Sequence, residues 1–483
     1  MLTKGQKKAM QALNSGCNVF LSGEAGTGKS YVLTQFLREI SNTKNVLVCA
    51  PTGIAAINIH GSTLHRVFQI PLGPISPTTN PLKISGPLEK ADVIVIDEIS
   101  MCRFDIFEFV AKSIKRAEAK AQKKSPSKTT KKQLIVAGDF FQLPPVMTQK
   151  DRLILETYWD MDIGDGFAFE APMWENFDFA SIILNEVVRQ KDDVEFVTKL
   201  NQLRCGNKSG IEWINIHATP KKQKSIHLCG TNKMAEDINM RESKKLTGKS
   251  STYCADISGS VNPTDKPTTD KLTLKVGMQV MTLVNDSKNR YQNGSIGIIT
   301  SLHDDTVDVS FAKGENVEIT PHTWEIIDYK ITTGNEKSKV EEVVVGTFRQ
   351  LPLRIAYAIT IHKSQGQTYD AANLSPYCFA PGQLYVALSR LTSIKGLHLC
   401  GQIMPQYLIT SQEVLDFYAS IENTGIPESE QALEKKSVKN SKRGGARVGA
   451  GRKQKYGVET CTIRIPISAK KDVLAFLASR KWD

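Results

Sequence analysis

GEAGTGKS, residues 23–30, decides how this chain folds. It matches the phosphate-loop pattern G-x-x-x-x-G-K-[ST], whose glycines let backbone N–H groups turn inward toward phosphate oxygens. A short apolar run, residues 17–22, precedes the loop, and residues 29–40, which carry one apolar helical face, follow it. Strand, loop and helix in this order are the context in which such a loop binds a nucleoside triphosphate. The sequence therefore predicts an α/β domain built around this loop.

Each position of the loop has an expected contact with the nucleotide. Lys29 is expected to reach the β- and γ-phosphates of ATP, and the Ser30 hydroxyl is expected to ligate Mg²⁺. The rest of the loop would contact phosphate mainly through backbone N–H groups, at Gly23, Glu24, Ala25, Gly26, Thr27 and Gly28.

VIVIDEIS, residues 93–100, is an apolar strand that ends in two adjacent acids. Ligands bind at the carboxyl ends of parallel strands, so we expect these acids at the same edge of the sheet as the phosphate loop. Asp97 can hold Mg²⁺, and Glu98 can accept a proton from the attacking water. A protein that uses ATP only as a switch does not need the second acid. Glu98 therefore favours ATP hydrolysis.

Length and composition set the general class of the protein. A chain of 483 residues is too long for one ordinary core, and 40% hydrophobic with 23% charged residues is typical of a soluble globular protein. The sequence has no apolar run long enough to span a membrane and no signal-peptide core at its N-terminus, which predicts an intracellular, cytoplasmic protein. The nine cysteines are scattered without a C-x-x-C pair, which argues against a disulfide framework and a zinc site.

Apolar runs in two sets predict two α/β domains, residues 1–178 and 179–410. The first set is 17–22, 46–50, 93–97 and 134–138, and the second is 180–184, 225–229, 276–282 and 396–401. Alternating Val and Ile after the NG pair at 293–294 predict a small β-barrel insertion at about 293–350. The Pro-rich stretch 70–87 predicts an irregular excursion from the first domain.

Positive charge is concentrated in two places. Residues 431–483 hold 14 of the 62 Lys and Arg but 4 of the 50 Asp and Glu, so most of the net charge of +12 lies in the tail. Such a tail either binds nucleic acid or acts only as a solubilising extension. A second basic run, residues 112–132, has nine Lys and Arg against one acid and no assigned role.

AGDFFQLPPV (137–146) and APTGIAAINIHGSTLHRVF (50–68) resemble the petite-integration-frequency (PIF) family of DNA helicases, superfamily one group B, related to the RecD-type enzymes. The resemblance is collinear over residues 2–410 and continues through LNEVVRQ (184–190), FVTKLNQLRCG (196–206), TNKMAEDIN (231–239), NGSIGII (293–299), AITIHKSQGQT (358–368) and QLYVALSR (383–390). It implies two RecA-like domains with a wedge insertion at about 62–87, and an ATP-dependent 5′→3′ helicase acting in replication, repair, recombination or telomere maintenance.

The resemblance also implies roles for individual residues at the ATP site. Gln6 would read the adenine edge, Gln142 would sense the γ-phosphate, and Gly366 would line the nucleotide site. Arg189 and Arg390, from the second domain, would supply positive charge to the transferring phosphoryl group.

Single-stranded and forked DNA are the implied partners. Hydroxyls, amides and backbone N–H groups suit phosphate contact without base identity. One of the two phenylalanines of GDFFQ would stack on a base, with at least one of them in the core. The implied DNA-binding residues are Pro51, Thr52, Gly53, His65, Phe140, Thr231, Asn232, Thr360, His362, Lys363 and Ser364.

Residues beyond about 425 have no counterpart in the helicase core. Residues 411–455 predict a helix and a polar basic linker, and 456–483 resemble the first half of a ribbon–helix–helix DNA-binding unit. We expect a monomer, with a tail-mediated dimer as the alternative, and a bacterial or viral source. Two further functions stay open: a DNA translocase or protein-displacement motor without unwinding, and an ATP-switched DNA-binding protein.

Overall fold

A computed structural model of the chain describes residues 2–124, 131–188, 190, 193–222, 225–288, 290–311, 316–333 and 338–423. Arg189 lies outside the described residues, as do the predicted linker beyond 423 and the ribbon–helix element. No helix in the described part of the chain is both long and apolar enough to cross a membrane.

The first domain contains a parallel six-stranded sheet with helices packed against it. Its strands are β1 (Val19–Gly23), β2 (Val46–Ala50), β3 (Ser62–Thr63), β4 (Val93–Ile96), β5 (Gln133–Ala137) and β6 (Ala180–Leu184). Its helices are α1 (Lys4–Asn14), α2 (Lys29–Ile40), α3 (Gly53–Asn58), α4 (Leu64–Phe68), α5 (Gly86–Lys90), α6 (Phe104–Lys124) and α7 (Gln149–Trp159). The strand order is β3-β2-β4-β5-β1-β6, and the central strands β1, β4 and β5 are buried throughout. Burial on both faces explains why these strands are continuous apolar runs.

The boundary predicted between the domains is wrong by several residues. Strand β6 pairs in parallel with β1, from Val19 opposite Ala180 to Gly23 opposite Leu184. The run 180–184 therefore completes the first sheet and does not begin the second. A short apolar run records that a strand is buried, but not which sheet it joins.

The rest of the chain forms a second parallel sheet and a group of antiparallel strands. Strands β7 to β21 are Thr219–Pro220, Ile226–Cys229, Ser250–Cys254, Asp256–Gly259, Lys271–Lys275, Gln279–Thr282, Ile296–Leu302, Val307–Phe311, Asn316–Ile319, His322–Thr333, Ser338–Gln350, Leu353–Ile355, Ala358–Thr360, Ala372–Leu374 and Leu397–Leu399. The helices are α8 (Val194–Arg204), α9 (Ser209–His217), α10 (Asn232–Lys244), α11 (Gln383–Ser389) and α12 (Gln412–Asn423).

The second parallel sheet has the order β19-β8-β20-β21-β7. Antiparallel strands occupy residues 250–355, a wider stretch than 293–350, and include a five-stranded sheet in the order β15-β14-β13-β12-β18. Strand β12 pairs antiparallel with β13 and β18, so the run 276–282 belongs to this antiparallel sheet. The prediction that it forms part of the second parallel sheet is wrong.

Helix α12 crosses back from the second domain to the first. Its Val414 and Tyr418 are buried in the same hydrophobic cluster as Phe20 and Phe140 of the first domain. The Phe417 ring stacks on Phe169 at 4.3 Å between centroids. The end of the described chain is thus anchored on the domain that carries the phosphate loop.

Candidate active site

The phosphate loop connects β1 to α2 and needs glycine at two crowded positions. Gly28 caps α2 with a φ of +83°, and a Cβ there would lie 2.7 Å from the Gln6 amide nitrogen. A Cβ on Gly23 would lie 2.5 Å from the Leu184 carbonyl oxygen. Only glycine fits both places, and the loop is therefore fixed by packing as well as by its φ angles.

Lys29 folds back over its own loop. Its Nζ donates to the carbonyl oxygens of Gly23 at 2.8 Å and Glu24 at 3.1 Å. Burial lowers the pKa of Lys29, while the nearby carboxylates of Asp139 and Glu98 act in the opposite direction. A triphosphate would replace neutral carbonyls with charged oxygens around the ammonium group, which is a stronger interaction.

Ser30 and Asp97 meet from two different elements, as the sequence predicts. The Ser30 hydroxyl lies 3.5 Å from the Asp97 carboxylate. Burial, and then the charge of Glu98, raise the pKa of Asp97 to about 7. Crowded hard oxygen donors of this kind suit Mg²⁺, which usually takes one or two protein oxygens together with substrate phosphates. The described residues contain no larger cluster of His, Cys, Asp and Glu that would hold a metal alone.

Glu98 adopts a left-handed backbone conformation, with φ +52° and ψ +44°. Such a conformation costs on the order of 1–3 kcal/mol for a residue other than glycine and is concentrated at functional sites. Its carboxylate accepts a hydrogen bond from Gln365 Nε2 at 3.1 Å, and Gln365 belongs to the second domain. The predicted base therefore contacts the second domain directly.

Arg390 is a buried cation with neutral partners. It is 2% exposed, and its guanidinium donates to the Val386 carbonyl at 3.0 Å and the Ser389 hydroxyl at 2.9 Å. Burial lowers the pKa of Arg390, with the charge of Glu98 as the main opposing influence. In the described part of the chain no carboxylate forms an ion pair with it. A buried guanidinium without a counter-ion is suited to an incoming anion such as a γ-phosphate.

Gln142 lies beside a charged contact between the two domains. Its side-chain amide donates to Asp139 at 3.4 Å, and Arg204 of α8 donates to both oxygens of the same carboxylate at 2.9 and 3.3 Å. The Arg204 guanidinium also lies 4.2 Å from the centre of the Phe141 ring. The residue predicted to sense the γ-phosphate is thus bonded to an ion pair that spans the domains.

Gln6 is held by protein groups at both ends of its amide. Its nitrogen donates to the Thr27 carbonyl at 3.0 Å, and its oxygen accepts from the Thr3 N–H at 3.1 Å. A bidentate contact with adenine would require these bonds to exchange. The adenine role of Gln6 stays a prediction.

Several residues of the predicted DNA track lie at helix N-termini. Thr52 caps α3 and accepts from the Ala55 N–H at 3.3 Å, and Thr231 caps α10 and accepts from the Met234 N–H at 3.2 Å. These N-termini favour phosphate. Pro51 and Gly53 flank the first cap, Asn232 follows the second, and Lys363 is exposed.

Three side chains of the predicted DNA track are buried, which contradicts base stacking by Phe140, whereas the DNA contacts of Ser364 and Thr360 stay predictions. Phe140 is 1% exposed and sits among aromatic rings of the core, so it cannot stack on a base. The Ser364 hydroxyl is fully buried and donates to the Ile361 carbonyl at 2.7 Å. Thr360 is 4% exposed, with its hydroxyl oxygen accepting from the Lys363 N–H.

The two histidines of the predicted track are partly buried. Burial lowers the pKa of both His65 and His362. Burial thus favours the neutral form of both imidazole rings. Gly366 is exposed with a φ of +79°, next to the Gln365 that bonds to Glu98.

Several residues that connect the two domains beside the phosphate loop were not predicted from the sequence. Tyr385 of α11 accepts a hydrogen bond from the Ala25 N–H in the phosphate loop at 3.0 Å. Three more residues, Asp139, Arg204 and Gln365, lie within the family-like motifs, but the sequence alone predicts no role for them. An acid in GDFFQ and a cation in the second domain were visible signals, but pairing them required the fold.

The chain is similar to known proteins. A family model described as PIF1-like helicase matches residues 1–211. The ATP-dependent DNA helicase Pif1 of Bdellovibrio bacteriovorus is 33% identical over 440 residues, which cover 87% of this chain and 92% of that protein. The crystal structure of Bacteroides sp Pif1 in complex with ADP-AlF4 is 33% identical, has a TM-score of 0.77, and is matched over 88% of this chain and 98% of its own. Bacteroides Pif1 bound to ssDNA has the same identity and coverage and a TM-score of 0.62. These likenesses confirm the predicted α/β fold class with two RecA-like domains.

Proposed function

The chain belongs to the PIF1-like helicase family and is an ATP-dependent DNA helicase, and from this premise we propose that it moves 5′→3′ on single-stranded DNA and unwinds the duplex ahead. One observation carries the proposal: the two RecA-like domains meet at a cleft beside the phosphate loop, where Gln365 of the second domain donates to Glu98 of the first at 3.1 Å. Lys29, Asp97 and Glu98 come from the first domain and Arg390 from the second.

Hydrolysis uses these groups in distinct roles. Glu98 accepts the proton of the attacking water, and its strained backbone fixes the direction of its carboxylate. Lys29 and Arg390 balance the charge that develops on the γ-phosphoryl oxygens. Arg189 would add to this charge from the second domain, and Gln142 orients the water. Ser30 and Asp97 would hold Mg²⁺, which neutralises phosphate charge when bound.

We link nucleotide binding to movement because no carboxylate among the described residues forms an ion pair with Arg390. A γ-phosphate in the cleft gives this guanidinium a counter-ion, which draws the second domain toward the first. Loss of that phosphate after hydrolysis removes the attraction. The Tyr385–Ala25 and Gln365–Glu98 hydrogen bonds lie on the same seam and would open and close with it.

The movement would proceed along single-stranded DNA. The N-termini of α3 and α10 belong to different domains, and we expect both to contact DNA phosphates. Closure of the cleft would then shorten the distance between two contacts on one strand. Bacteroides Pif1 has been solved with bound ssDNA, and this supports the same class of partner here. We expect single-stranded and forked DNA as substrates, with the protein acting as a monomer.

Strand displacement tests the proposal. Duplexes with a 5′ tail, a 3′ tail or blunt ends are incubated with the full chain, with and without ATP. We expect displacement only with the 5′ tail and ATP. Displacement from the 3′ tail would refute the polarity, and ATP turnover without displacement would favour a translocase or protein-displacement motor. Lys29→Ala should abolish ATP turnover and strand displacement, whereas Lys8→Ala, a control at an exposed lysine, should keep both.

A truncated chain tests whether the basic tail binds DNA. Deletion of residues 426–483 should lower the salt dependence of DNA binding if the tail contacts phosphates. An unchanged slope of log affinity against log salt concentration would rule out those contacts. Sedimentation of both chains would detect a tail-mediated dimer.

A further inference from the structure

Residues 112–124, the part of the basic run that lies on α6, have no part in the site described above. Along this helix Lys112, Arg116, Lys120 and Lys124 follow one another at four-residue intervals. Residues four apart lie on the same side of a helix, so these four cations form one basic face. That face does not point only into solvent, because each of the four cations has a partner between residues 77 and 89.

The partners follow the Pro-rich segment in order. Lys112 Nζ donates to the Pro77 carbonyl at 2.6 Å, and an Arg116 guanidinium nitrogen donates to the Pro81 carbonyl. Lys120 pairs with Glu89 at 2.7 Å, and Lys124 pairs with the same carboxylate. One face of α6 therefore runs alongside the segment, which Lys112 and Arg116 hold, and alongside α5, where Lys120 and Lys124 bind Glu89 just after the segment.

The N-terminal end of α6 continues the same arrangement. Arg103, next to the start of α6, donates to the Gly73 carbonyl at 2.9 Å, and Asp105 accepts from the Ile75 N–H at 2.8 Å. Between residues 69 and 85 the chain has no helix or strand, so its carbonyl oxygens lack the partners that regular structure would give them. Arg103 and the α6 side chains Lys112 and Arg116 supply donors to three of these carbonyls.

Two leucines of the held segment stand free of the protein. Leu72 is 92% exposed and Leu82 is 90% exposed, whereas Ile70 and Ile75 of the same segment are buried. Each exposed leucine is next to an anchored carbonyl, Leu72 beside Gly73 and Leu82 beside Pro81. Exposed apolar side chains on a fixed backbone suit a surface that contacts another molecule.

We propose that the basic face of α6 is a clamp, and that it holds the segment 70–87 rigid so that Leu72 and Leu82 meet the bases at a DNA fork. Lys112 and Arg116 are then positioning residues for strand separation, and not contacts to DNA phosphates. This inference rests on the proposed unwinding function. A loose segment would yield when the duplex is pushed against it, whereas a clamped one keeps the two strands apart.

The test compares Lys112→Ala, Arg116→Ala and the double variant with Lys123→Ala, a lysine of the same helix that is exposed and off the clamping face. Single-strand-stimulated ATPase and strand displacement are measured on each chain. We expect the double variant to lose about tenfold in displacement rate while its ATPase stays within about twofold of the parent. Lys123→Ala should match the parent in both assays. Arg116→Lys should restore displacement, because one donor suffices for the Pro81 carbonyl.

Salt dependence separates the clamp from DNA binding by the same face. The clamp predicts an unchanged slope of single-strand affinity against salt for the double variant. A slope smaller by about 0.7 for each cation removed would overturn the clamp and make α6 a phosphate-binding surface.

Two more measurements distinguish a failure of the clamp from a failure of the proposed helicase function. Hydrogen exchange should accelerate in the double variant at the hydrogen-bonded amides of Ile75, Thr78 and Thr79, a result that does not depend on activity. Unchanged exchange there would overturn the clamp even if displacement fell. If Leu72→Ala/Leu82→Ala displaces strands at the parent rate, the leucines do not separate the duplex and the inference fails while the helicase function stands. Absence of displacement by the parent chain itself would instead refute the proposed function.

Discussion

Replacing Arg204 with methionine tests whether one ion pair joins the two domains beside the γ-phosphate sensor. Arg204 is 9% exposed and binds both oxygens of Asp139, whose side chain is fully buried. Methionine keeps much of the side-chain volume next to the Phe141 ring but removes the charge. The buried Asp139 carboxylate is then left without its cation.

The expected cost follows from the partners that remain. Leaving one member of a buried ion pair unpaired costs about 3–5 kcal/mol. Asp139 keeps the Phe141 N–H at 3.2 Å, the Gln142 amide at 3.4 Å and the Tyr418 hydroxyl at 3.5 Å, so we expect a value near the lower end, ~3 kcal/mol. For a domain of this size such a loss lowers the thermal midpoint by roughly 6–12 °C. ATP turnover should also fall, because Gln142 shares the same carboxylate.

Thermal and urea unfolding of Arg204→Met measure this cost, with Arg241→Met as the control. Arg241 pairs with Glu242 on the surface and is 61% exposed, so its loss should cost less than about 1 kcal/mol. Adding Asp139→Asn to Arg204→Met should recover most of the stability, because the buried charge is gone. An Arg204→Met chain within about 1 kcal/mol of the parent, or no recovery in the double variant, would show that the pair does not join the domains.

Three other predictions follow from single side chains. Glu98→Gln should lower the turnover number of single-strand-stimulated ATPase by about 10²–10⁴-fold while affinity for single-stranded DNA by fluorescence anisotropy is kept; near-parental turnover would exclude Glu98 as the base. Phe140→Ala should cost about 3–5 kcal/mol in urea unfolding because it empties a space in the aromatic core, and weaker DNA binding at unchanged stability would instead restore the stacking role. Burial, and then the charge of Glu413, raise the pKa of Glu170 to about 8, so the folded chain holds a proton that the unfolded chain releases near pH 4.5, and stability falls as pH rises between these values. Glu170→Gln should therefore raise the thermal midpoint more at pH 8 than at pH 5, and an equal shift at both would refute the raised pKa.

Much of the ATP site was predictable because it lies within continuous motifs. The loop at residues 23–30, the strand that ends at Asp97 and the acid after it each carry their chemistry in local sequence. Parallel strands bring their carboxyl ends to one edge, so the meeting of Ser30 and Asp97 followed from the fold class alone. The buried strands were likewise visible as apolar runs.

DNA contacts were less predictable because a motif does not state which side chains are buried. Phe140, Ser364 and Thr360 lie in segments that resemble a DNA track, yet neighbouring elements cover all three. Burial depends on what packs against a segment, and for Phe140 that includes Phe417 of α12, far along the chain.

Binding and hydrolysis of a nucleoside triphosphate could be predicted from local patterns, since the phosphate loop and the paired acids are each continuous in the chain. Packing between distant segments is needed to assign each strand to its sheet and each cation to its acid. The Arg204–Asp139 pair and the contact of α6 with the Pro-rich segment depend on side chains from separate elements meeting. Local pattern fixes what each residue can do, and packing fixes what it contacts.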